Sequence, residues 1–358
     1  MCELFCNSGR QDLYSVQCSL RRKSMKVRFS VISFVPPGTS IAVVGSLPEL
    51  GSWKVSECPS MSPSSPPKSM EPSFWSADIA VDDLSVPFEY KFVRKTNPSA
   101  NWEWEGYGSH DNRKWDGKEM LSTPASEQDV KVFDGVFLLP PTHFMESQGM
   151  SEYSHTTRFY NSVKERNDMH YNRVSDNLWV GSCPRSRRHI EKLRDELKVT
   201  CLLNFQTHED AKNNFPDPEH FPEWDKRTPQ VIYDLFKEYS LAYVWIPTTD
   251  MSTQDRANML PQAAFILGAL IQNGHAVYVH CNAGVGRSVA AACGFLCYCL
   301  NHPVRLVHHM MCSSRPVAYF DEAALRAGRS DFQVKYGDVY RRLHEDGQKR
   351  NCFLSAGG

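Results

Sequence analysis

The chain has 358 residues, a length that suits two domains, each large enough to bury its own core. Its 40 Lys and Arg residues nearly balance 41 Asp and Glu residues, so the net charge of -1 supplies no general field for nucleic acid or an anionic membrane. No stretch approaches the roughly 20 apolar residues of a membrane span, and the N-terminus lacks the apolar segment of a secretory signal. Twelve scattered cysteines in such a chain favour reduced thiols and a cytoplasmic location.

An all-β domain is predicted first. Residues 1–24 are polar and irregular, which indicates a disordered extension, and residues 25–139 contain short β-type runs separated by turn-rich segments. These runs are MKVRFSVISF, IAVVG, FWSADIAV, PFEYKFV and VKVFDGVFLL. A Ser- and Pro-rich stretch, residues 56–72, suits a long loop. The pattern predicts a small antiparallel β-sandwich.

An α/β domain is predicted over residues 178–345, after a linker and recognition segment at 140–177 and before a flexible tail at 346–358. Apolar strands alternate there with helical periods, which is typical of a central sheet covered by helices. The predicted strands are LWVGS, VTCLLNF, LAYVWIP and AVYVHC, and the predicted helices are Pro229–Tyr239, Arg256–Gln272 and Ser288–Leu300. A further helix is expected within HTTRFYNSVKERNDMHY, from His155.

The sequence HCNAGVGRS joins the predicted strand at 276–279 to a predicted helix. Unpaired N–H groups and the helix dipole converge at such a junction and can bind phosphate. Cys281 is the expected nucleophile, since these groups and Arg287, six positions on, lower a thiol pKa. Arg287 can hold two phosphate oxygens at once. The loop residues expected around the phosphate are Asn282, Ala283, Gly284, Val285, Gly286 and Ser288.

Asp250, in IPTTDMST, is the candidate general acid that protonates the leaving oxygen. The alternative is a carboxylate that caps a helix or closes a turn, because PTTDMS is also favourable turn chemistry. For Cys281 the alternative is an ordinary buried cysteine. The glycines, Ser288, the strand and the helix around it favour the catalytic interpretation.

Aromatic residues in the first domain indicate a carbohydrate surface. Indole faces stack on glucose rings, while Lys and Asp reach the hydroxyl groups. The candidates are Trp53, Lys91, Trp102, Trp104 and Asp111, with Trp104 favoured over Trp102 as the stacking residue. Each tryptophan taken alone could instead fill the core, which is the role expected of Trp75.

Together these motifs resemble the glycogen phosphatases, in which a family 20 starch-binding module precedes a dual-specificity phosphatase domain. The resemblance rests on VVGSLPELGSW, EYKFV and NWEWEG in the first domain and on HTTRFY, LWVGSCPR, NFQT, PTTDMST, MLPQA and HCNAGVGRS after it. It implies hydrolysis of phosphate monoesters on glycogen through a phosphocysteine. It also implies glucan contacts at Met251, Tyr319 and Tyr336, association with glycogen, a ubiquitin ligase of the malin type and other glycogen-metabolic proteins as partners, and a possible homodimer.

Two other functions fit the same motifs. The protein could be a dual-specificity protein phosphatase located on glycogen, or a glycogen-bound scaffold for a ubiquitin ligase. No cofactor or metal is expected, because thiolate chemistry needs none and Cys293, Cys297 and Cys299 are predicted as core residues of a helix. His308, His309 and Cys312 are likewise expected in a packed helix rather than in a metal site.

Overall fold

The computed structural model describes residues 24–68, 71–106, 108–116, 129–136, 152–214 and 230–355. The first domain is an all-β sandwich. Its strands are β1 (Met25–Ser33), β2 (Ser40–Gly45), β3 (Ser62–Pro63), β4 (Ser73–Val81), β5 (Phe88–Lys95), β6 (Glu103–Trp104), β7 (Arg113–Trp115) and β8 (Asp129–Val136). One sheet has the order β3-β4-β1-β8, and the other has β2-β5-β6 with β7 also paired to β5. All strand pairs in the described part of the sandwich are antiparallel except β1 with β8, which is parallel.

Alternation of side chains along the strands builds the sandwich core. Alternate residues of β1 and β5 point inward, so both sheets contribute aromatic and branched residues to one cluster. This cluster contains Val27, Phe29, Val31, Phe88, Tyr90 and Phe92. Trp75 lies there at 3% exposure, as predicted, and its indole N–H donates to the Ser73 hydroxyl at 2.8 Å.

In its described residues, the second domain has a five-stranded sheet with helices around it. Its strands are β9 (Tyr171–Ser175), β10 (Leu178–Gly181), β11 (Cys201–Asn204), β12 (Ala242–Trp245) and β13 (Val277–His280), in the order β12-β11-β13-β10-β9. Its helices are α1 (Glu152–Glu165), α2 (Arg187–Asp195), α3 (His208–Asn213), α4 (Gln230–Glu238), α5 (Thr253–Gln272), α6 (Arg287–Gly294), α7 (Val304–Ser314) and α8 (Glu322–Ser355). Among the described strands of this domain, β9 alone is antiparallel to its neighbour, so the carboxyl ends of β10, β11, β12 and β13 share one edge.

The predicted α/β domain and sandwich are confirmed, with differences at particular elements. The helix predicted over Ser288–Leu300 is α-helical only to Gly294 and continues as a π-helical turn over Phe295–Cys299. Cys293 and Cys297 are buried in the core there, as predicted. The Ser- and Pro-rich stretch contains β3, so its described part is not entirely loop. Residues 1–23 and 137–151 of the predicted segments lie outside the described residues.

The two domains meet where α7 lies on the outer face of the β4-β1 sheet. Ile32, Phe74 and Cys312 form a buried apolar cluster across the contact. The Phe74 ring also meets His309 edge to face, with ring centroids 5.6 Å apart. This contact places the end of α7 beside the sheet of the α/β domain, at the edge where the sequence HCNAGVGRS follows β13.

Candidate active site

The sequence HCNAGVGRS forms a loop between β13 and α6. β13 lies in the middle of the sheet with all four side chains buried, so its Val-rich sequence suits a strand covered on both faces. The loop then turns at Gly284, which has a φ of 70°. A Cβ at Gly284 would lie 2.2 Å from the carbonyl carbon of Gly181, so both the backbone angle and the close contact require glycine.

Cys281 occupies the start of this loop with 3% of its surface exposed. Its Sγ lies 3.4 Å from the Ser288 Oγ. Burial would raise the thiol pKa, but the Arg287 charge and the hydrogen bonds from the Ser288 side chain and backbone outweigh burial and the nearby Asp250, so the pKa is lowered. The site therefore favours a thiolate at Cys281.

Arg287, at the first position of α6, is fully buried. Its Nη1 donates to the carbonyls of Phe205 (3.2 Å) and Thr248 (2.9 Å) and to Asp210 Oδ2 (2.7 Å). Its Nη2 lies 2.9 Å from Asp250 Oδ2. Its Nε is buried and has no hydrogen-bond partner among the described residues. One edge of the guanidinium is thus held by the protein, and the Nε remains available to an anion.

Asp210 is a site residue that the sequence reasoning missed. It is the third residue of α3 and completes a capping box with Thr207. Besides Arg287, its carboxylate accepts from Asn282 Nδ2 at 2.8 Å, and these bonds outweigh burial and lower its pKa. The signal in the sequence that could have identified Asp210 is the NFQT motif followed by a helix-capping pattern. Its approach to a loop more than 70 residues away depended on the sheet order.

Asp250 lies on the loop between β12 and α5 with 48% of its side chain exposed. Ser252, not Asp250, caps α5, since the Ser252 hydroxyl accepts from Asp255 N–H. Asp250 Oδ1 instead accepts from Met251 N–H at 3.0 Å. Met251 is 63% exposed and has a φ of 58°, a left-handed conformation that costs a non-glycine residue on the order of 1 kcal/mol. The ion pair with Arg287 brings Asp250 into the site.

The two tyrosines expected to contact glucan, Tyr319 and Tyr336, lie in different places. Tyr319 N–H donates to Val285 O at 2.9 Å, so this tyrosine borders the loop. Tyr336 is on α8 and stacks on Phe265 of α5, with ring centroids 4.9 Å apart. It packs on the core of the second domain rather than on the phosphate loop.

The recognition segment also reaches the loop. Phe159 and Val163 of α1 are buried against Val285 and Val317, with Ala283 and Tyr319 packed on the same cluster. The apolar side chain of Val285 therefore fixes α1 beside the phosphate loop.

The burial of His280, immediately before Cys281, indicates that the folded protein loses stability in acid. His280 is 2% exposed, and burial lowers its pKa to about 4, below the ordinary value of about 6.5. The unfolded chain therefore binds the proton first as the pH falls. We expect the free energy of unfolding to decrease between pH 6.5 and 5 by up to about 1.4 kcal/mol per pH unit from this residue.

Urea unfolding at pH 7, 6 and 5 measures this dependence. The variant His280→Asn should be less stable at pH 7 but should show a shallower loss of stability over the same interval. An equal slope in both proteins would contradict the assignment.

Three tryptophans lie on the outer face of the second sheet of the sandwich. Trp53 and Trp102 pack on Ala42, Val44 and Val93. Trp104 is opposite Val93 in the β5-β6 register and therefore shares this face. Trp104 is 37% exposed, and Trp53 and Trp102 are half-buried. This tryptophan face (Trp53, Trp102, Trp104) lies on the opposite side of the sandwich from α7.

The other two residues predicted to bind carbohydrate, Lys91 and Asp111, both contact the loop that follows Trp104. Lys91 shares the tryptophan face but is 4% exposed, and its Nζ donates to the carbonyls of Glu105 (3.1 Å) and Gly108 (2.7 Å). It thus braces the loop that follows Trp104. Asp111 lies in a 3₁₀ turn and contacts Gly106 of the same loop. Trp53 has a φ of 66°, a strained conformation that turns its indole onto this face.

The described residues contain neither a metal site nor a membrane-spanning helix. Among them, no three His, Cys, Asp or Glu side chains are grouped as a metal site. The described helices include none with the length and apolar character needed to cross a bilayer.

Two regions of the chain match known domain families. Residues 24–124 match the starch binding domain, and residues 178–322 match the catalytic domain of the dual specificity phosphatases. Both matches agree with the fold and resemblance predicted from the sequence.

Known proteins resemble the chain over different lengths. Laforin of Mus musculus is 38% identical over 342 residues, which cover 89% of this chain and 99% of that protein. The chloroplastic phosphoglucan phosphatase LSF1 of Arabidopsis thaliana is 27% identical over 163 residues, or 46% of this chain and 24% of that protein. A crystal structure of a mouse dual specificity phosphatase covers 46% of this chain and 89% of its own, with 20% identity and a TM-score of 0.34.

Proposed function

The chain belongs to the laforin family, and from that premise we propose that it is a glucan phosphatase. It binds α-glucan through its starch-binding domain and hydrolyses phosphate monoesters on the polymer. The observation that supports this most directly is the presence in one chain of two arrangements: the loop that holds Cys281 and Arg287, and the tryptophan face. The sandwich then concentrates the catalytic domain on its substrate.

The proposed chemistry begins with attack of the Cys281 thiolate on phosphorus. The bond from phosphorus to the sugar oxygen breaks, and Asp250 gives that oxygen a proton. An incoming phosphate replaces Asp250 at the Nη2 of Arg287 and also satisfies the buried Nε, so both nitrogens hold equatorial oxygens. The backbone N–H groups of residues 282–287 bind the remaining charge.

The phosphocysteine is then hydrolysed. The Asp250 carboxylate takes a proton from water, the water oxygen attacks phosphorus, and the bond from phosphorus to sulfur breaks. Ser288, 3.4 Å from the sulfur, stabilises the leaving thiolate by a hydrogen bond. Asp210 supports both steps because it holds Arg287 and Asn282 in place.

We propose glycogen as the polymer and a cytoplasmic, glycogen-associated location. The ubiquitin ligase of the malin type and the other glycogen-metabolic partners remain predictions from the resemblance. A homodimer likewise remains a prediction from the resemblance. Glucan contacts at Met251 and Tyr319 are supported by their places beside Asp250 and Val285.

A variant with both Trp53→Ala and Trp104→Ala tests the role of the tryptophan face. We expect phosphate release from phosphorylated glycogen to fall at least about 10-fold at low polymer concentration, because stacking and tethering are lost. Hydrolysis of para-nitrophenyl phosphate, which needs no carbohydrate domain, should be unchanged.

The matched control for this test is Val86→Ala, which removes an exposed apolar side chain of the same domain outside the tryptophan face. Equal activity of the double variant and the intact protein on glycogen would contradict the proposal. Hydrolysis of the aryl phosphate without release from glycogen would favour the protein-phosphatase alternative, and no hydrolysis of either would favour the scaffold.

A further inference from the structure

Arg315 binds the phosphate loop, the loop between β13 and α6, on the side of its carbonyl groups. It follows α7 directly and is fully buried. Its Nε donates to Gly284 O at 2.6 Å and its Nη2 to Ala283 O at 3.2 Å. The N–H groups of a phosphate loop converge on the anion, so its carbonyls point away and need donors of their own. Arg315 supplies these donors and thereby fixes the orientation of the peptide groups around the phosphate.

His170 positions the other side of this guanidinium. Arg315 Nη1 donates to Asn172 Oδ1 at 2.7 Å and lies 3.1 Å from His170 Nδ1. Because arginine can only donate, Nδ1 of the histidine must accept, and the imidazole proton is therefore on Nε2. That nitrogen lies 3.6 Å from Glu71 Oε2. Contacts with His170 and with Lys68, whose Nζ lies 3.4 Å from Oε2, lower the pKa of Glu71 to about 2. Burial lowers the pKa of His170, so a carboxylate faces a neutral imidazole at neutral pH.

Glu71 belongs to the other domain. It lies at the end of the Ser- and Pro-rich stretch, two residues before β4. Its side chain and that of His170 are only 21% and 19% exposed. The contacts from Glu71 through His170 to Arg315 therefore cross the domain boundary and end on the carbonyls of the phosphate loop.

A second contact reaches the same arginine. Phe74, on the outer face of β4, packs on Cys312 and His309 of α7. The helix ends at Ser314, and Arg315 is its C-terminal cap residue. Both the charged contact and the apolar contact of the first domain thus converge on Arg315, which makes the position of this side chain depend on how the domains are docked.

We propose that Glu71 and His170 are positioning residues through which the carbohydrate-binding domain sets the conformation of the phosphate loop by way of Arg315. The inference rests on the proposed phosphatase function and deepens it. The first domain is then part of the catalytic apparatus as well as a tether, and its docking changes turnover even of substrates that it does not bind.

The test uses the full-length chain and para-nitrophenyl phosphate, a substrate without sugar. Glu71→Gln keeps the size of the side chain but removes the charge that orients His170. We expect kcat to fall about 10-fold, and the affinity for orthovanadate, which occupies the loop as a transition-state mimic, to weaken by a similar factor. Rates are expressed per Cys281 thiol, counted as the thiol that iodoacetate alkylates below pH 7 and that saturating vanadate protects, so that only protein with an intact loop is counted.

The matched control is Glu57→Gln. Glu57 lies in the same Ser- and Pro-rich stretch and forms an exposed ion pair with Lys54, with 57% of its side chain exposed. Its replacement should leave kcat and vanadate affinity unchanged. Glu71→Asp, which retains the charge, should recover part of the loss.

A double-variant cycle separates positioning from general destabilisation. Arg315→Lys should lower kcat by at least as much as Glu71→Gln, and adding Glu71→Gln to it should cause little further loss, because both act on the same loop. If Glu71→Gln has the kcat and vanadate affinity of the intact protein, or if its loss disappears when rates are expressed per titrated thiol, the coupling is overturned while the phosphatase function stands. An intact protein that does not hydrolyse the aryl phosphate overturns both.

Discussion

Cys281→Ser should abolish phosphatase turnover, with kcat reduced at least about 10⁴-fold on para-nitrophenyl phosphate and on phosphorylated glycogen. The serine hydroxyl fits the space, but at neutral pH it is not ionised by a neighbouring arginine as a thiol is. Burial and Asp250 oppose the thiolate at this position, so its presence depends on Arg287 and Ser288. Steady-state phosphate release and single-turnover measurements check the loss.

The control for this variant is Cys58→Ser. Cys58 is a half-buried thiol of the first domain whose Sγ donates to Val55 O, a bond that serine can also make. Its replacement should leave both activities intact. Cosedimentation of Cys281→Ser with glycogen should also be unchanged, because the tryptophan face is in the other domain. A Cys281→Ser variant that retains a few per cent of turnover would exclude Cys281 as the nucleophile.

Arg287→Lys should reduce kcat/KM for the aryl phosphate about 10³-fold, although the charge is conserved. The guanidinium has two tasks that an ammonium group cannot combine. Its Nη1 is held by Phe205 O, Thr248 O and Asp210, while Nε has no partner among the described residues and Nη2 pairs with Asp250, which the phosphate replaces in the proposed mechanism. A lysine Nζ bound to Asp210 would leave the phosphate oxygens without their fork of donors.

Arg341→Lys is the control for this replacement, because Arg341 is 69% exposed on α8 and pairs only weakly with Asp338. It should be indistinguishable from the intact protein. Measuring the pH dependence of Cys281 alkylation in Arg287→Lys separates the two tasks of the arginine. A kcat/KM within 10-fold of the intact protein would mean that Arg287 contributes charge alone.

Local sequence was sufficient for much of the fold. The period-two runs of the first domain and the continuous apolar runs of the second predicted their strands, because burial on one or two faces of a sheet dictates those patterns. Helix ends were less predictable. The π-helical turn at Phe295–Cys299 and the start of α5 at Thr253, before the predicted Arg256, depend on packing and on the Ser252 cap.

The sequence alone determined the parts of the site that are contiguous along the chain. Cys281, Ser288 and Arg287 lie within eight consecutive residues, and a strand, a glycine-containing turn and a helix bring them together by local geometry. The tryptophan motifs are likewise local signals of a sugar-binding surface.

Tertiary structure decided which distant side chains support these residues. Asp210 meets Arg287 because β11 and β13 are adjacent in the sheet, and Lys91 is buried because the loop after Trp104 folds over it. Glu71 reaches Arg315 through His170 only because α7 docks on the sandwich. Hydrophobic periodicity specifies which face of an element is buried. It does not specify which charged groups that burial brings within 3 or 4 Å, because ion pairs and hydrogen bonds between distant residues leave no periodic pattern in the sequence.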